Sequence, residues 1–311
     1  MAVAVAHPNV ALVKYWGKRP GHGNVPATPS LSITLDGLTT RTRVDAAAEN
    51  SLEINGERRR DAKVAGLVAA LREEFALPAM RVTSCGNFPV GAGLASSASG
   101  FAALVTALDE TFSLGLPASA RAVWARRGSA SAARSVFGGF VALDPDVGAA
   151  TVLDRDEWPL EVVVAVTSDA AKAVSSTEGM TRSRDTSPFY GAWMHSTATD
   201  FDDACRAVHR RDFDALAATA EHSCLKLHAL MLSTRPGLLY WNAATIDAMR
   251  AVRAMRDAGT PVFFTIDAGP QVKAVCLPAA AATVADRLGE LAGVKRVMRV
   301  GLGAGARLVE G

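Results

Sequence analysis

Apolar residues cluster in short runs through much of the chain, separated by turn-forming and polar positions, and such runs are typical of β-strands. One run ends at Asn55-Gly56, a dipeptide that indicates a tight hairpin. The runs predict strands at 3–6, 10–15, 31–35, 40–45, 52–54, 81–84, 138–143, 160–167, 262–266, 272–276 and 297–300.

Longer segments place apolar residues three or four positions apart, which predicts helices. In 62–75 the residues with this spacing are Val64, Leu67, Val68, Leu71 and Phe75. We expect the other helices at 118–134, 196–209, 213–231, 242–258 and 279–291, and one that starts in a Gly/Ser-rich loop and ends at Thr111.

Strands and helices occur in both halves of the chain, which predicts an α+β fold with mixed sheets. Pro145, Asp146 and Gly148 indicate a boundary between the halves. We therefore expect an N-terminal lobe at 1–155 and a C-terminal lobe at 156–311, with a cleft between them as the natural ligand site.

Composition narrows the possible functions. Of 311 residues 49% are hydrophobic, enough for a large core, and the net charge of +2 provides no general field for nucleic acid or an anionic membrane. No apolar run approaches the roughly 20 residues of a membrane span. The cysteines at 85, 205, 224 and 276 lack zinc or redox spacing, so we expect buried or half-buried thiols and a cytoplasmic protein.

The segment NVALVKYWGKR at 9–19 carries the strongest chemical signal. Its apolar part predicts a buried strand that delivers Lys14, Lys18 and Arg19 to one end of a sheet. Three neighbouring cations are costly to hold together unless anions neutralise them. An ordinary strand followed by a solvated basic turn would have the same pattern.

A second signal is the loop NFPVGAGLASSASG at 87–100. Gly91 and Gly93 let the backbone approach a ligand closely, and Ser96 and Ser97 place donors at the start of a helix, where phosphate binds. A serine-capped turn would look similar. The sequence has neither Gly-Lys-[Ser/Thr] nor the third glycine of the dinucleotide-binding fold.

Taken with its flanking strand and helix, this loop resembles the phosphate-binding motif of the GHMP kinases. Within that superfamily the chain resembles the diphosphomevalonate decarboxylases, which implies a two-lobed fold whose N-terminal lobe binds nucleotide phosphates. Besides 9–19 and the loop, the matching segments are SLSITL (30–35), GSASAARSVFGGF (128–140), SSTEGM (175–180) and FTIDAGP (264–270).

The resemblance implies ATP-dependent decarboxylation of mevalonate 5-diphosphate to isopentenyl diphosphate, through phosphorylation of the C3 hydroxyl, in isoprenoid biosynthesis. It implies that Asp267 accepts or orients the hydroxyl proton, that Lys14 pairs with Asp267 or the transferring phosphate, and that Arg134 holds the substrate carboxylate. By pattern alone, Asp267 is typical of a turn aspartate and Arg134 of a helix C-terminal cation. A strand-end surface lysine is the alternative for Lys14, but the apolar run argues against it.

Binding residues also follow from the resemblance. It assigns the substrate diphosphate to Tyr15, Lys18, Ser129 and Ser131. It assigns a positioning role to Ser176, with Ser175 as the second candidate, although Ser176 could otherwise be a helix N-cap. The nucleotide phosphates would contact Gly91, Gly93, Leu94, Ala95, Ser96 and Ser97. We expect Mg²⁺ to be carried by ATP oxygens and water, without a dedicated protein metal site.

Three other functions stay open at this point. They are a mevalonate-type kinase that stops after phosphorylation, a decarboxylase that acts on the monophosphate, and a catalytically inactive metabolite-binding protein. The combination of Lys14 with Asp267 favours the decarboxylase. The resemblance further implies a homodimer.

Overall fold

The computed structural model of the protein describes residues 1–21, 23–88, 96–170 and 172–310. The strands in this part of the chain are β1 (Ala2–Ala6), β2 (Asn9–Val13), β3 (Ser30–Thr34), β4 (Thr40–Ala46), β5 (Ser51–Ile54), β6 (Glu57–Arg58), β7 (Met80–Gly86), β8 (Phe140–Asp144), β9 (Gly148–Leu153), β10 (Glu161–Val166), β11 (Val262–Thr265), β12 (Val272–Cys276), β13 (Arg296–Gly301) and β14 (Arg307–Val309). The α-helices are α1 (Ala62–Phe75), α2 (Ser96–Thr111), α3 (Ala118–Gly128), α4 (Ala132–Ser135), α5 (Ser176–Thr186), α6 (Tyr190–Arg210), α7 (Phe213–Leu232), α8 (Ala243–Asp257) and α9 (Ala281–Gly289).

The first sheet has the strand order β14-β1-β4-β7-β5-β6. Its β4 strand alternates buried Thr40, Thr42 and Val44 with exposed Arg41 and Arg43, as expected for a sheet with one face in the core. Helix α2 packs on β1 and β4 and is buried along most of its length. This packing fixes the N-terminus of α2, which follows the Gly/Ser-rich loop.

Two antiparallel sheets, β2-β3-β8-β9 and β11-β12-β10-β13, share one hydrophobic core with α6 and α7. Leu12, Phe140, Val164 and Phe263 are among its fully buried residues. Because β2 and β11 belong to this common core, the residues that follow the two strands meet although they are far apart in sequence.

The α+β fold is confirmed, and several predicted elements recur with nearly the predicted bounds. Helix α1 has the predicted bounds because Asp61 accepts hydrogen bonds from Lys63 N and Val64 N at 2.8 and 3.0 Å and so fixes its start. The hairpin turn at Asn55-Gly56 has φ values of 51° and 80°, which suit these two residue types.

One predicted helix is wrong, and the turn residues after β8 have a local role. The segment 118–134 is not one helix, because Gly128 and Ser129 end α3 and a turn precedes α4. The residues from Pro145 to Gly148 form the β8–β9 hairpin, where Asp144 Oδ1 accepts from two backbone N–H groups. Here the turn residues reverse the chain between two strands.

The sequence pattern also missed some elements. Helix α5 carries few apolar residues and so shows no amphipathic period, and α6 begins before the predicted 196. Strand β14 pairs with β1, so the chain end returns to the first sheet. Cys85 is exposed, contrary to expectation, because it lies on the outward face of β7. The division into lobes at residue 155 stays a prediction.

Within the described residues, no helix is both long and apolar enough to cross a bilayer.

Candidate active site

A buried ion pair lies where β2 and β11 end. Lys14 Nζ donates to Asp267 Oδ1 at 2.7 Å and to the carbonyl oxygen of Ala11 at 2.8 Å. Lys14 is 1% exposed, whereas the Asp267 side chain keeps 30% of its surface exposed toward a cavity. The strand-end surface lysine considered above is therefore excluded.

Helix α7 binds the backbone of both segments that carry this ion pair, at Lys14 and next to Asp267. Ser223 Oγ accepts a hydrogen bond from Lys14 N at 2.9 Å, and the neighbouring Cys224 Sγ accepts one from Ile266 N at 3.2 Å. One turn of α7 thus fixes the lysine and the aspartate together. No sequence signal pointed to Ser223 or Cys224, since both look like ordinary residues of a buried helix face.

A second lysine, Lys273 of β12, approaches the other oxygen of Asp267, with Nζ 3.4 Å from Oδ2. Burial acts to raise the pKa of Asp267, but Lys14 and then Lys273 outweigh it, and the pKa lies well below its ordinary value. Burial is the main cause that lowers the pKa of Lys273. The only sequence signal for Lys273 was a charge inside an otherwise apolar strand.

Arg134 lies in α4 and is 3% exposed. Its Nε and Nη2 donate to Asn9 Oδ1 at 3.1 and 3.0 Å, and its Nη1 donates to Ser30 Oγ at 2.6 Å. Among the described residues no carboxylate forms an ion pair with it, and burial lowers its pKa. A buried guanidinium held by neutral groups is a favourable site for an anionic ligand.

Serines from two segments meet beside Arg134. Ser129 Oγ lies 3.2 Å from Ser131 Oγ and 3.4 Å from Ser97 Oγ, and Ser96 begins the same helix as Ser97. The predicted contacts Gly91, Gly93, Leu94 and Ala95 lie outside the described residues.

The opposite wall is formed by residues near the start of α5. Ser175, not Ser176, is the N-cap, and its Oγ accepts from Glu178 N. Ser176 Oγ instead accepts from Lys172 Nζ at 2.7 Å, and Lys172 was not predicted. Burial lowers the pKa of Lys172.

Lys18 and Tyr15 extend the site from the segment after β2. Lys18 Nζ donates to Asn24 Oδ1 and Thr177 Oγ1 at 2.8 and 3.1 Å, and burial is the main cause that lowers its pKa. The Tyr15 ring lies 5.5 Å from the Arg134 guanidinium carbon, and burial raises the pKa of its hydroxyl.

All predicted site residues that the structure describes line one cavity of about 700 Å³. Among its described lining residues the charged side chains are Asp267 and the cations Lys14, Lys18, Lys63, Arg127, Arg134 and Lys172. This excess of positive charge indicates a polyanionic ligand. A smaller cavity of about 170 Å³ adjoins it at Ser96 and Ser97 and has largely apolar walls.

The described residues contain no group of three or more His, Cys, Asp or Glu side chains that could hold a metal ion.

An α+β fold with a cavity that surrounds a carboxylate with cations and helix-start serines defines an enzyme that acts on phosphorylated small molecules. Within that class, the family described as "Diphosphomevalonate decarboxylase-like N-terminal domain" matches residues 6–151, and "Mevalonate 5-diphosphate decarboxylase C-terminal domain" matches residues 162–298. The chain belongs to the diphosphomevalonate decarboxylase family, which confirms the resemblance seen in the sequence.

Relatives and solved structures agree with this assignment. A diphosphomevalonate decarboxylase of Ganoderma lucidum is 35% identical over 310 residues, covering 86% of this chain and 76% of the relative. The mevalonate diphosphate decarboxylase of Staphylococcus aureus is similar in structure, with a TM-score of 0.93 and 30% identity over 99% of this chain and 98% of that one. The protein MDDEF, solved in complex with MVAPP, AMPPCP and magnesium, is also similar, with a TM-score of 0.92 and 34% identity over 100% of this chain and 99% of that one.

Proposed function

We propose that this protein catalyses the ATP-dependent decarboxylation of mevalonate 5-diphosphate to isopentenyl diphosphate, with release of ADP, phosphate and carbon dioxide. The observation that carries the proposal is the Lys14–Asp267 pair, 2.7 Å apart, which lines the same cavity as Arg134 and the helix-start serines. Membership of the decarboxylase family supports it.

In the first step Asp267 orients the C3 hydroxyl of the substrate toward the γ-phosphorus of ATP. The pKa of Asp267 lies well below its ordinary value, so its carboxylate stays ionised and accepts a hydrogen bond from the hydroxyl. As the C3 oxygen bonds the γ-phosphorus, the bond from that phosphorus to the β,γ-bridging oxygen breaks and ADP leaves. The hydroxyl proton passes through Asp267 to solvent. Lys14, which contacts this carboxylate, is placed to neutralise the transferring phosphoryl group. A tertiary alcohol is a weak nucleophile, so orientation contributes strongly to the rate.

Arg134 binds the substrate carboxylate. A guanidinium has five N–H groups, and the bonds to Asn9 and Ser30 use the Nε hydrogen and one on each terminal nitrogen. One N–H on each of Nη1 and Nη2 is then left to donate to the carboxylate oxygens of the substrate.

The diphosphate end of the substrate binds Tyr15, Lys18, Ser129 and Ser131. These side chains line the cavity and offer hydroxyl or ammonium donors, as diphosphate oxygens require. Ser176, which already bonds Lys172, positions the substrate and the phosphoryl group.

ATP places its phosphates at the start of α2, on Ser96, Ser97 and the loop residues Gly91, Gly93, Leu94 and Ala95. The adjoining apolar cavity, which shares Ser96 and Ser97, is suited to the nucleotide base. Mg²⁺ accompanies the nucleotide and neutralises phosphate charge, and MDDEF was solved with AMPPCP and magnesium.

Phosphorylation prepares the second step. Phosphate leaves C3 far more easily than hydroxide, and its departure draws the electron pair of the carboxylate–C2 bond into the new C2–C3 double bond. Carbon dioxide is lost from the carboxylate, and the alkene product remains. The cations around the cavity stabilise the departing phosphate.

The test is incubation of the purified protein with ATP, Mg²⁺ and mevalonate, its 5-phosphate or its 5-diphosphate in separate reactions. We expect equal amounts of ADP and carbon dioxide with the diphosphate, and an alkene product of the mass of isopentenyl diphosphate. ADP without carbon dioxide would instead identify a kinase, and turnover of the monophosphate alone would identify the other decarboxylase.

Two further points are part of the proposal. The protein is expected to form a homodimer, which light scattering coupled to gel filtration measures directly. It is expected in the cytoplasm, where a reducing environment would keep its four unpaired thiols reduced.

A further inference from the structure

Lys273 is a buried lysine that the reaction scheme above does not use. It lies in β12 opposite Thr265 of β11 and is 2% exposed. Its strand neighbours Val272, Ala274 and Val275 are buried apolar residues. An ammonium group in such a strand is costly unless an anion compensates it.

That anion is Asp267, whose two oxygens contact two different lysines. Lys14 Nζ lies 2.7 Å from Oδ1, and Lys273 Nζ lies 3.4 Å from Oδ2. The shorter contact is a hydrogen-bonded ion pair, while the longer one acts mainly through its charge. Both oxygens of the carboxylate are therefore restrained.

The two lysines differ in what else they can reach. Lys14 and Asp267 line the central cavity, whereas Lys273 is not among the described residues that do so. An anion in the cavity can therefore contact Lys14 and draw it away from Asp267, while Lys273 lies behind the described lining. If Lys14 turns to a phosphoryl group, Lys273 still compensates the carboxylate.

We propose that Lys273 is a positioning residue for Asp267, which it keeps ionised and in place from behind the cavity wall while Lys14 engages the transferring phosphoryl group. The catalytic part of this inference rests on the proposed function, and the ion pair itself does not.

Several other groups also act on the Asp267 carboxylate. They are Tyr15 after β2, Arg134 of α4, Lys172 before α5, and Cys224 and His228 of α7. These groups remain when Lys273 is removed, and so does the burial that raises the pKa of Asp267. Loss of Lys273 removes one of the two nearest compensating charges, so the pKa of Asp267 rises and the acidic limb of the kcat–pH profile moves to higher pH.

The kinetic test is Lys273→Met, which keeps the side-chain length and removes the charge. We expect kcat to fall by about tenfold or more. The KM for the substrate should stay within about twofold, because Lys273 is not among the described residues that line the cavity. The acidic limb of the kcat–pH profile should move to higher pH. The matched control is Val275→Ala in the same buried strand, which should lower the melting temperature and leave kcat and the acidic limb unchanged. Wild-type kcat and an unmoved limb in Lys273→Met would overturn the positioning role.

A thermal double-mutant cycle tests the ion pair without any turnover. Asp267→Asn should lower the melting temperature because it leaves the buried lysines uncompensated, and adding Lys273→Met should restore part of the loss. Additive effects would overturn the pairing. Should Lys273→Met not fold, Lys273→Gln replaces it in both tests. Failure of the proposed function appears separately, as a wild-type protein that releases neither ADP nor carbon dioxide.

Discussion

Asp267→Asn is the substitution that tests the site most directly, because it removes the charge while keeping the shape. The Asp267 carboxylate lies 2.7 Å from Lys14 Nζ and 3.4 Å from Lys273 Nζ. At an effective dielectric constant of about 20, its attraction is roughly 6 kcal/mol to Lys14 and roughly 5 kcal/mol to Lys273. The cost of burying the charges opposes most of this attraction. What remains after removal of the carboxylate is the penalty of two uncompensated buried ammonium groups.

Breaking a buried ion pair in this way costs about 3–5 kcal/mol, which for a chain of this size lowers the melting temperature by roughly 5–15 °C. Urea unfolding and thermal scans of wild type and variant measure the loss. The matched control is Asp169→Asn, whose partner Lys295 lies 2.8 Å away and whose side chain is 56% exposed. We expect no measurable change there, because solvent screens such pairs.

The pH dependence of the unfolding stability of Asp267→Asn gives a second measurement, and its sign can be worked out. Burial lowers the pKa of Lys273 in the folded protein, and loss of Asp267 removes the charge that opposed this shift. The unfolded chain then binds more protons than the folded one below the ordinary lysine pKa, so the stability of the variant rises with pH toward that value. If Asp267→Asn is as stable as wild type and shows no such rise, the buried ion pair does not exist as described.

The remaining predictions concern other parts of the molecule. Arg134→Gln should lower kcat/KM by about 10²–10³-fold, since truncating a buried charge that binds an anion costs about 2–5 kcal/mol; steady-state kinetics over a range of substrate concentrations measures it. Gly128→Ala should destabilise by about 1–3 kcal/mol because its Cβ would lie 2.3 Å from Phe101 Cδ1, whereas Gly100→Ala, with open space around it, should be neutral or stabilising in urea titrations. Burial, with Lys14, lowers the pKa of His228 to about 3, so stability should fall as pH drops from 6.5 toward 3 and this dependence should weaken in His228→Gln, with proton NMR showing no titration of the ring near pH 6.5.

How much of this could be predicted from sequence differs between the fold and the site. Local signals succeeded where local physics decides the structure, as in α1, whose N-cap and apolar face both lie within the segment. They failed for α5, whose sequence has no apolar stripe, and for β14, whose partner strand β1 lies at the other end of the chain. The Asn55-Gly56 turn was predictable because its backbone geometry depends on those two residues alone.

For the site, the family resemblance named residues that line the cavity, and the structure adds those that hold them. Asn9 was visible in a motif, but its bond to Arg134 depends on a contact between β2 and α4 that no spacing reveals. Lys273 was visible as a charge in an apolar strand, but its partner follows a different strand. The role of such residues cannot be found from one sequence, because it depends on which distant segment of the chain lies beside them in the fold.

The way α7 holds the ion pair bears on how the site operates. Ser223 and Cys224 are consecutive residues, and they accept hydrogen bonds from the backbone of Lys14 and of Ile266, which precedes Asp267. Thr265 Oγ1 adds a bond to the Ala11 carbonyl at 3.0 Å, so the two strand ends are also joined directly. The lysine–carboxylate distance is therefore set by one turn of a buried helix. Because this charge arrangement exists before the ligand arrives, binding energy is not consumed in assembling it and remains for orienting the hydroxyl and the phosphoryl donor.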